Sequence, residues 1–358
     1  MNIKSSVRDY SVEFIQDLTG LIENSKYPGA FYLIDEKVAT LYPGLIEGIE
    51  TARVIKIDAI EENKKLENIQ KVIVDLIDRG INKTSSIIVI GGGVLQDIGG
   101  FIASIMFRGI DWVLIPTTLL AQCDSCIGSK TSVNIGKFKN QLGTFYPPSR
   151  VLLYPGFTKT LKPYDFLSGA CEGVKLYMID GRTDIKEVVK KITGADREAV
   201  LTDFIKDSLD IKKAFIEDDE YDRGKRNLLN YGHTIGHAIE SKTGYLIPHG
   251  LAVGFGILGA IFISYKEQLI SKEYLLECTE ELWPLIRDFE AEVCKLDPTA
   301  LIESIKKDKK SNGREINFIL TGGNGVIQKR PLLFEKQLEP YMKDLWEWFN
   351  SLKSSPVK

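Results

Sequence analysis

The sequence predicts a parallel α/β domain followed by a mainly α-helical one, and three observations predict it. The first half alternates short β-branched runs with amphipathic stretches, the order that builds a parallel sheet covered by helices. One apolar run breaks into three consecutive glycines, Gly91, Gly92 and Gly93. Beyond about residue 155 the strand signals fade, and helical periodicity dominates up to Phe289. The domains are therefore expected at 1–155 and 156–358, a division that suits a chain of 358 residues.

The elements follow in order. Residues 30–34 and 54–57 read as short strands. Residues 68–79 carry Ile69, Val72, Ile73, Leu76 and Ile77 at helical spacing. Residues 86–90 are a β-branched strand, 94–106 a helix with small residues, and 112–115 a further strand. In the second half the apolar tract 251–264 reads as a buried helix, and only 316–320 resembles a strand. No apolar run reaches the roughly 20 residues that span a bilayer. No N-terminal stretch reads as a signal peptide. The net charge of −3 gives no reason to expect a nucleic acid partner. Five cysteines without regular spacing suit a reducing cytoplasm. Cys123 and Cys126 form a CxxC, but with no second pair they read as two small buried residues.

The glycine run carries the first functional signal. A strand that opens a helix through glycines lets the backbone turn sharply and approach a ligand. The first N–H groups of the helix then face an anion, aided by the helix dipole. A dinucleotide pyrophosphate fits such a place, although the spacing is not GxGxxG. A tight turn without a ligand is the other reading. Asp97, on the first turn of the following helix, either caps that turn or faces the site.

The second signal is the histidines. The chain has three, His233, His237 and His249, all in one short window. Imidazole suits zinc and similar metals. His233 and His237 stand at i and i+4 on one helix face, without the glutamate that HExxH demands. A catalytic metal wants three protein ligands and one open position. Spacing alone leaves open which two histidines join which carboxylate. Basic residues gather nearby, at Lys212, Lys213, Arg223, Lys225 and Arg226, then at Lys306, Lys307, Lys309 and Lys310. Most read as solvated helix faces, and a few would converge on one anion if the substrate carries phosphate.

Eight segments, in order, resemble one family: GGGVLQDIGGFIAS, FRGIDW, IPTTLLAQCDSCIGSKTSVN, GKFKNQLGTFYPP, ACEGVK, RNLLNYGHTIGHAIE, PHG and KKDKK. The chain looks like a member of the 3-dehydroquinate synthase family, within the sugar-phosphate cyclases. The resemblance implies an N-terminal dinucleotide-binding α/β domain and a helical metal-binding domain, with the active site between them. It implies NAD contacts from Asp35, Glu61, Lys64, Gly92, Gly93, Val94, Asp97, Thr117, Thr118, Lys139 and Thr160. It implies a divalent metal, Zn or Co, on Glu172, His233 and His249, which leaves His237 to the substrate. Catalysis then falls to His237, Lys175, Asn230, Lys130 and Asp124. Substrate binding falls to Arg108, Asn140, Lys212, Arg226 and a lysine of the pair Lys309 and Lys310.

The implied reaction on the small phosphorylated sugar-like substrate starts with oxidation of a secondary alcohol by NAD. The ketone acidifies its neighbouring C–H, so phosphate can leave by elimination. The hydride is then returned, the ring opens, and an intramolecular aldol closes a carbocycle. A cytoplasmic homodimer is also implied. Three positions depart from the family pattern: Ser129 stands for a glycine, Leu251 for an acidic residue and Cys126 for a serine. Sister cyclases of the 2-deoxy-scyllo-inosose and 2-epi-5-epi-valiolone synthase type share the NAD and metal sets and are the near alternative. A metal-dependent glycerol-type alcohol dehydrogenase is the more distant one.

Overall fold

The structure, a computed structural model, describes residues 1–136, 138–308 and 314–352. The chain forms two compact units, Met1–Lys162 with Lys213–Asp222, and Pro163–Lys212 with Arg223–Lys358. The first division falls at 162/163, where the sequence places it near 155 to within about ten residues, and a later segment returns to the first unit. Helical periodicity hides this return, because the helix Arg197–Asp218 runs without a break across the division at 212/213.

The first unit is built on one sheet. Its strands are β1 (Asn2–Ile3), β2 (Tyr10–Phe14), β3 (Phe31–Asp35), β4 (Val54–Ile57), β5 (Ser86–Gly91), β6 (Asp111–Pro116) and, later in the chain, β9 (Arg150–Leu153). They lie in the order β1-β2-β9-β6-β5-β3-β4. Only β1 and β2 pair antiparallel; all other neighbours are parallel. The helices are α1 (Leu18–Asn24), α2 (Glu36–Leu41), α3 (Leu66–Asp78) and α4 (Gly93–Ile105). A separate hairpin, β7 (Lys130–Ile135) with β8 (Phe138–Phe145), packs on α4.

The centre of the sheet follows from side-chain chemistry. Ile87, Ile88, Val89 and Ile90 are wholly buried, so β5 is covered on both faces, as a central parallel strand must be. Each such side chain contributes roughly 1.5–3 kcal/mol through burial. Ile88 and Ile90 meet Tyr32, Ile34, Val113, Ile115 and Leu152 in one core, capped by Leu21 and Phe157. The four strands expected in this half appear as β3 to β6. The strands β1, β2, β7, β8 and β9 were not expected. β2 (YSVEF) and β7 (KTSVNI) are half polar, and β9 (RVLL) is only four residues long. Their apolar signal is too short to rise above that of a loop.

The second unit is mainly helical among the described residues. It holds α5 (Pro163–Asp180), α6 (Ile185–Thr193), most of α7 (Arg197–Asp218), α8 (His233–Lys242), α9 (His249–Lys266), α10 (Lys272–Ile286), α11 (Glu290–Cys294), α12 (Pro298–Asp308) and α13 (Glu339–Leu352). One hairpin joins them, β10 (Glu315–Thr321) with β11 (Ile327–Leu333). α9 is its axis. It is long and apolar enough to cross a membrane, but 83% of it is buried within the protein. β11 was not expected, because Lys329, Arg330 and Pro331 interrupt its apolar pattern.

Candidate active site

Three side chains of the second unit converge. Glu172, in the middle of α5, has a side chain only 1% exposed. Its Oε2 accepts from Lys175 Nζ at 2.5 Å. Its Oε1 is buried and accepts no hydrogen bond. Facing that oxygen are the Nε2 atoms of His249 at 3.4 Å and His233 at 3.9 Å. Ligands at roughly 2.0–2.1 Å around a tetrahedral ion stand about 3.3 Å from one another. Two imidazole nitrogens and an orphaned carboxylate oxygen at this spacing fit a divalent metal.

The electrostatics make two of these three groups ready donors, and the third must give up a proton to ligate. Burial pushes the Glu172 carboxyl up, but the Lys175 ammonium and the neighbouring imidazoles outweigh it and hold it well below the usual range. Glu172 therefore remains an anion. Burial, with Lys175 behind it, holds His233 well below its ordinary value, so this ring is neutral and its lone pair available. His249 lies between two carboxylates, Glu172 and Glu240; against the effect of burial they raise it to about 10.

Close backbone approaches put these residues in place. Gly232 precedes α8 with φ +79, and a Cβ there would stand 2.7 Å from Ile257 and 2.8 Å from the Val253 carbonyl. Only glycine lets the start of α8, and with it His233, lie against α9. Gly250 follows His249, and a Cβ there would meet the Ser168 carbonyl at 1.9 Å. Its N–H donates to Ser168 Oγ at 2.9 Å. Ser168 lies one turn before Glu172 on α5, so this contact ties one candidate metal ligand to another.

His237 is exposed, with its ring 5.3 Å from that of His233 and 5.8 Å from that of His249. A second triad, His237, Glu240 and His249, also has metal-ligand spacing. Glu240 had not been singled out in the sequence. The signal that would have found it is its place one turn after His237 in GHAIE.

In the first unit the expected cofactor residues fall into two groups. Asp35, Gly91 to Gly93, and Thr117 with Thr118 lie at the carboxyl ends of the adjacent parallel strands β3, β5 and β6, where α/β sheets bind ligands. No side chain caps α4 at Gly92, so its first N–H groups are left for a ligand. The Asp35 carboxylate caps α2 through Lys37 N at 2.8 Å. The second group is a network. Lys64 Nζ donates to Asp97 Oδ2 at 2.7 Å, and the Ser132 amide to Asp97 Oδ1 at 2.9 Å. Asn134 joins Glu61, at 2.8 Å, to the Asn140 amide, at 2.9 Å. Lys139 Nζ lies 3.7 Å from Glu61. Asp97 is thus on the second turn of α4, not the first, and braces the hairpin instead of capping the helix. Burial pushes its carboxyl up despite Lys64.

Two family models cover most of the chain: 3-dehydroquinate synthase N-terminal over residues 54–168, and 3-dehydroquinate synthase C-terminal over 169–311. The chain belongs to the 3-dehydroquinate synthase family. A 3-dehydroquinate synthase of Alkaliphilus metalliredigens (strain QYMF) is 35% identical over 319 residues, spanning 87% of this chain and 88% of its own. Among solved structures, a 2-deoxy-scyllo-inosose synthase complexed with carbaglucose-6-phosphate, NAD+ and Co2+ has TM-score 0.85 at 24% identity, covering 96% of this chain and 99% of its own. A 2-epi-5-epi-valiolone synthase from Streptomyces hygroscopicus subsp. jinggangensis 5008, with NAD+ and Zn2+ bound, has TM-score 0.81 at 23% identity, covering 95% and 97%. The fold is that of the family.

The remaining positions implied by the family resemblance are more scattered. Lys212 and Arg226 are buried cations of the second unit, while Asn230 is exposed beside Tyr231. Val94 follows Gly93 on α4, and Thr160 Oγ1 lies 3.1 Å from the Tyr42 hydroxyl. Lys130 pairs with Asp222 at 2.5 Å, an interaction made by the returning segment. Asp124 sits in a π-helical turn, 121–125, beside the buried Cys123 and Cys126. Arg108 is exposed just beyond the C-terminus of α4, ~20 Å along that helix from the glycine turn. Lys309 and Lys310 lie outside the described residues.

Proposed function

We propose that the chain is a 3-dehydroquinate synthase, an NAD- and metal-dependent carbon–oxygen lyase. It converts 3-deoxy-D-arabino-heptulosonate 7-phosphate into 3-dehydroquinate and phosphate. The observation that carries this reading is the orphaned Oε1 of Glu172 facing two imidazole nitrogens. Support for the substrate comes from a relative of that name matched over 88% of its own length.

Glu172, His233 and His249 would hold the metal, which would supply Lewis-acid polarisation of the reacting oxygens, and bound NAD would supply a reversible hydride acceptor. Lys175 keeps Glu172 ionised and turns its other oxygen toward the histidines. Lys212 and Arg226 supply positive charge for the departing phosphate, an effect that burial strengthens. His237, exposed beside the triad, is the acid–base group next to the phosphate. Lys130, Asp124, Asn140, Asn230 and Arg108 bind or orient the substrate. Asp35, Glu61, Lys64, Gly92, Gly93, Val94, Asp97, Thr117, Thr118, Lys139 and Thr160 form the NAD side. The basic set Lys130, Lys175, Lys212 and Arg226 argues against a glycerol-type dehydrogenase, whose polyol substrate carries no charge.

The test is to incubate the purified protein with the seven-carbon keto acid phosphate, NAD and Co2+ or Zn2+. One phosphate per cyclic product, with no net NADH, is expected. Net NADH from a simple polyol without phosphate release overturns the reading. Turnover of a different sugar phosphate alone moves it to a sister cyclase.

A further inference from the structure

We propose that Glu240 is the positioning residue of the metal centre: it holds Nδ1 of His249 and so turns Nε2 of that ring toward Glu172. The inference rests on reading Glu172, His233 and His249 as the metal ligands.

A neutral imidazole carries one proton, and the partner of one nitrogen decides which nitrogen keeps a lone pair for a metal. The two histidines solve this in different ways. His233 Nδ1 lies 3.2 Å from the carbonyl oxygen of Tyr231. A carbonyl can only accept, so the proton sits on Nδ1 and the lone pair on Nε2. His249 Nδ1 has no such backbone acceptor; it lies 3.0 Å from Glu240 Oε2. A carboxylate also only accepts, so the proton on Nδ1 stays with Glu240, and the proton a metal displaces is the one on Nε2. In both rings Nε2 is the nitrogen that faces Glu172 Oε1.

The need for a holder is greater at His249. It is the first residue of α9, and 35% of its side chain is exposed, against 15% for His233. Glu240 is well placed to hold it, only 14% exposed on α8 and two turns after His233. Its negative charge also makes the bound imidazole a stronger donor.

The rival role for Glu240 is as a ligand with His237 and His249. That arrangement would use His249 Nδ1 and leave Glu172 Oε1 buried without a cation. An unpartnered buried carboxylate oxygen is the costlier outcome, so the geometry points to the ion at Glu172.

The experiment uses the full chain, stripped of metal and titrated with Co2+, whose visible absorption reports both affinity and coordination. Thermal melts check that each variant is folded. Glu240→Ala should weaken Co2+ binding about 10–100-fold, as loss of such an outer partner commonly does. Glu240→Gln keeps an acceptor for the Nδ1 proton and should recover much of that loss. Both should reach the wild-type spectrum at saturation, because the ligand atoms are unchanged. Wild-type affinity in folded Glu240→Ala overturns the proposal. So does complete loss of the Co2+ spectrum in both Glu240→Ala and His237→Ala, which makes Glu240 a ligand. Failure of the wild type to bind Co2+ removes the metal reading itself, and this inference with it.

Discussion

Ser129 stands where the family pattern has glycine, and its φ is +63°. A left-handed conformation costs a residue with a Cβ roughly 1–2 kcal/mol. Glycine removes that strain but gains about 0.4–1 kcal/mol of freedom in the unfolded chain. Ser129→Gly should therefore stabilise the protein by about 1 kcal/mol or less, read as a higher urea midpoint with an unchanged slope. A lower midpoint would show that the hydroxyl contributes more than the strain costs. The proposed function gives the histidines different roles. His233→Ala should lose the metal. His237→Ala should keep stoichiometric metal and lose about 10²-fold or more in turnover, as loss of a positioned acid–base group does. Metal analysis of the two variants side by side decides it, and a metal-free His237→Ala with metal-bound His233→Ala reverses the roles. At this scale the sequence revealed which residue types matter, because three histidines fell in one window. It left open which nitrogens face inward. That depends on Tyr231 O and Glu240, acceptors that no spacing rule identifies.

The strand, turn and helix at β5 and α4 were legible because each part has a strong local signal: four buried β-branched residues, three glycines, then helical spacing. The hairpin of β7 and β8 was not, since its residues are mostly polar and its order comes from contacts with α4 and Glu61. The glycine turn offers a test of cofactor binding, but the choice of glycine matters. A Cβ at Gly92 would stand 2.8 Å from Thr118 Cγ2, so Gly92→Val disturbs the protein's own packing as well as any phosphate. A Cβ at Gly93 meets nothing nearer than Ser125 Oγ at 3.8 Å. Gly93→Val should thus leave the melting temperature nearly unchanged and weaken NAD binding at least about tenfold, a loss of roughly 1.4 kcal/mol. A folded Gly93→Val with wild-type NAD affinity would show that α4 does not receive the pyrophosphate.

The whole chain keeps its two candidate cofactor sites on separate compact units. All the proposed NAD residues lie in the unit built on the sheet, and all three proposed metal ligands lie in the helical one. The division itself was legible only as a change from strand to helix signals. The return of Lys213–Asp222 was invisible, because it depends on contacts such as that of Asp222 with Lys130 rather than on local pattern. The separation has a thermodynamic consequence. Removing the metal subtracts no proposed NAD contact, so any effect on NAD must come through coupling. Chelation should therefore change NAD affinity less than about fivefold, the low end of ordinary coupling between sites. It should nevertheless lower the melting temperature, since a ligand at 100 times its dissociation constant stabilises the folded state by about 2.7 kcal/mol. Turnover should be lost and should return with added Co2+ or Zn2+. Calorimetric titration of NAD into chelated and metal-loaded protein measures the first effect, and a thermal melt the second. If chelated protein no longer binds NAD, the two cofactors share contacts, and the assignment of each to its own unit fails.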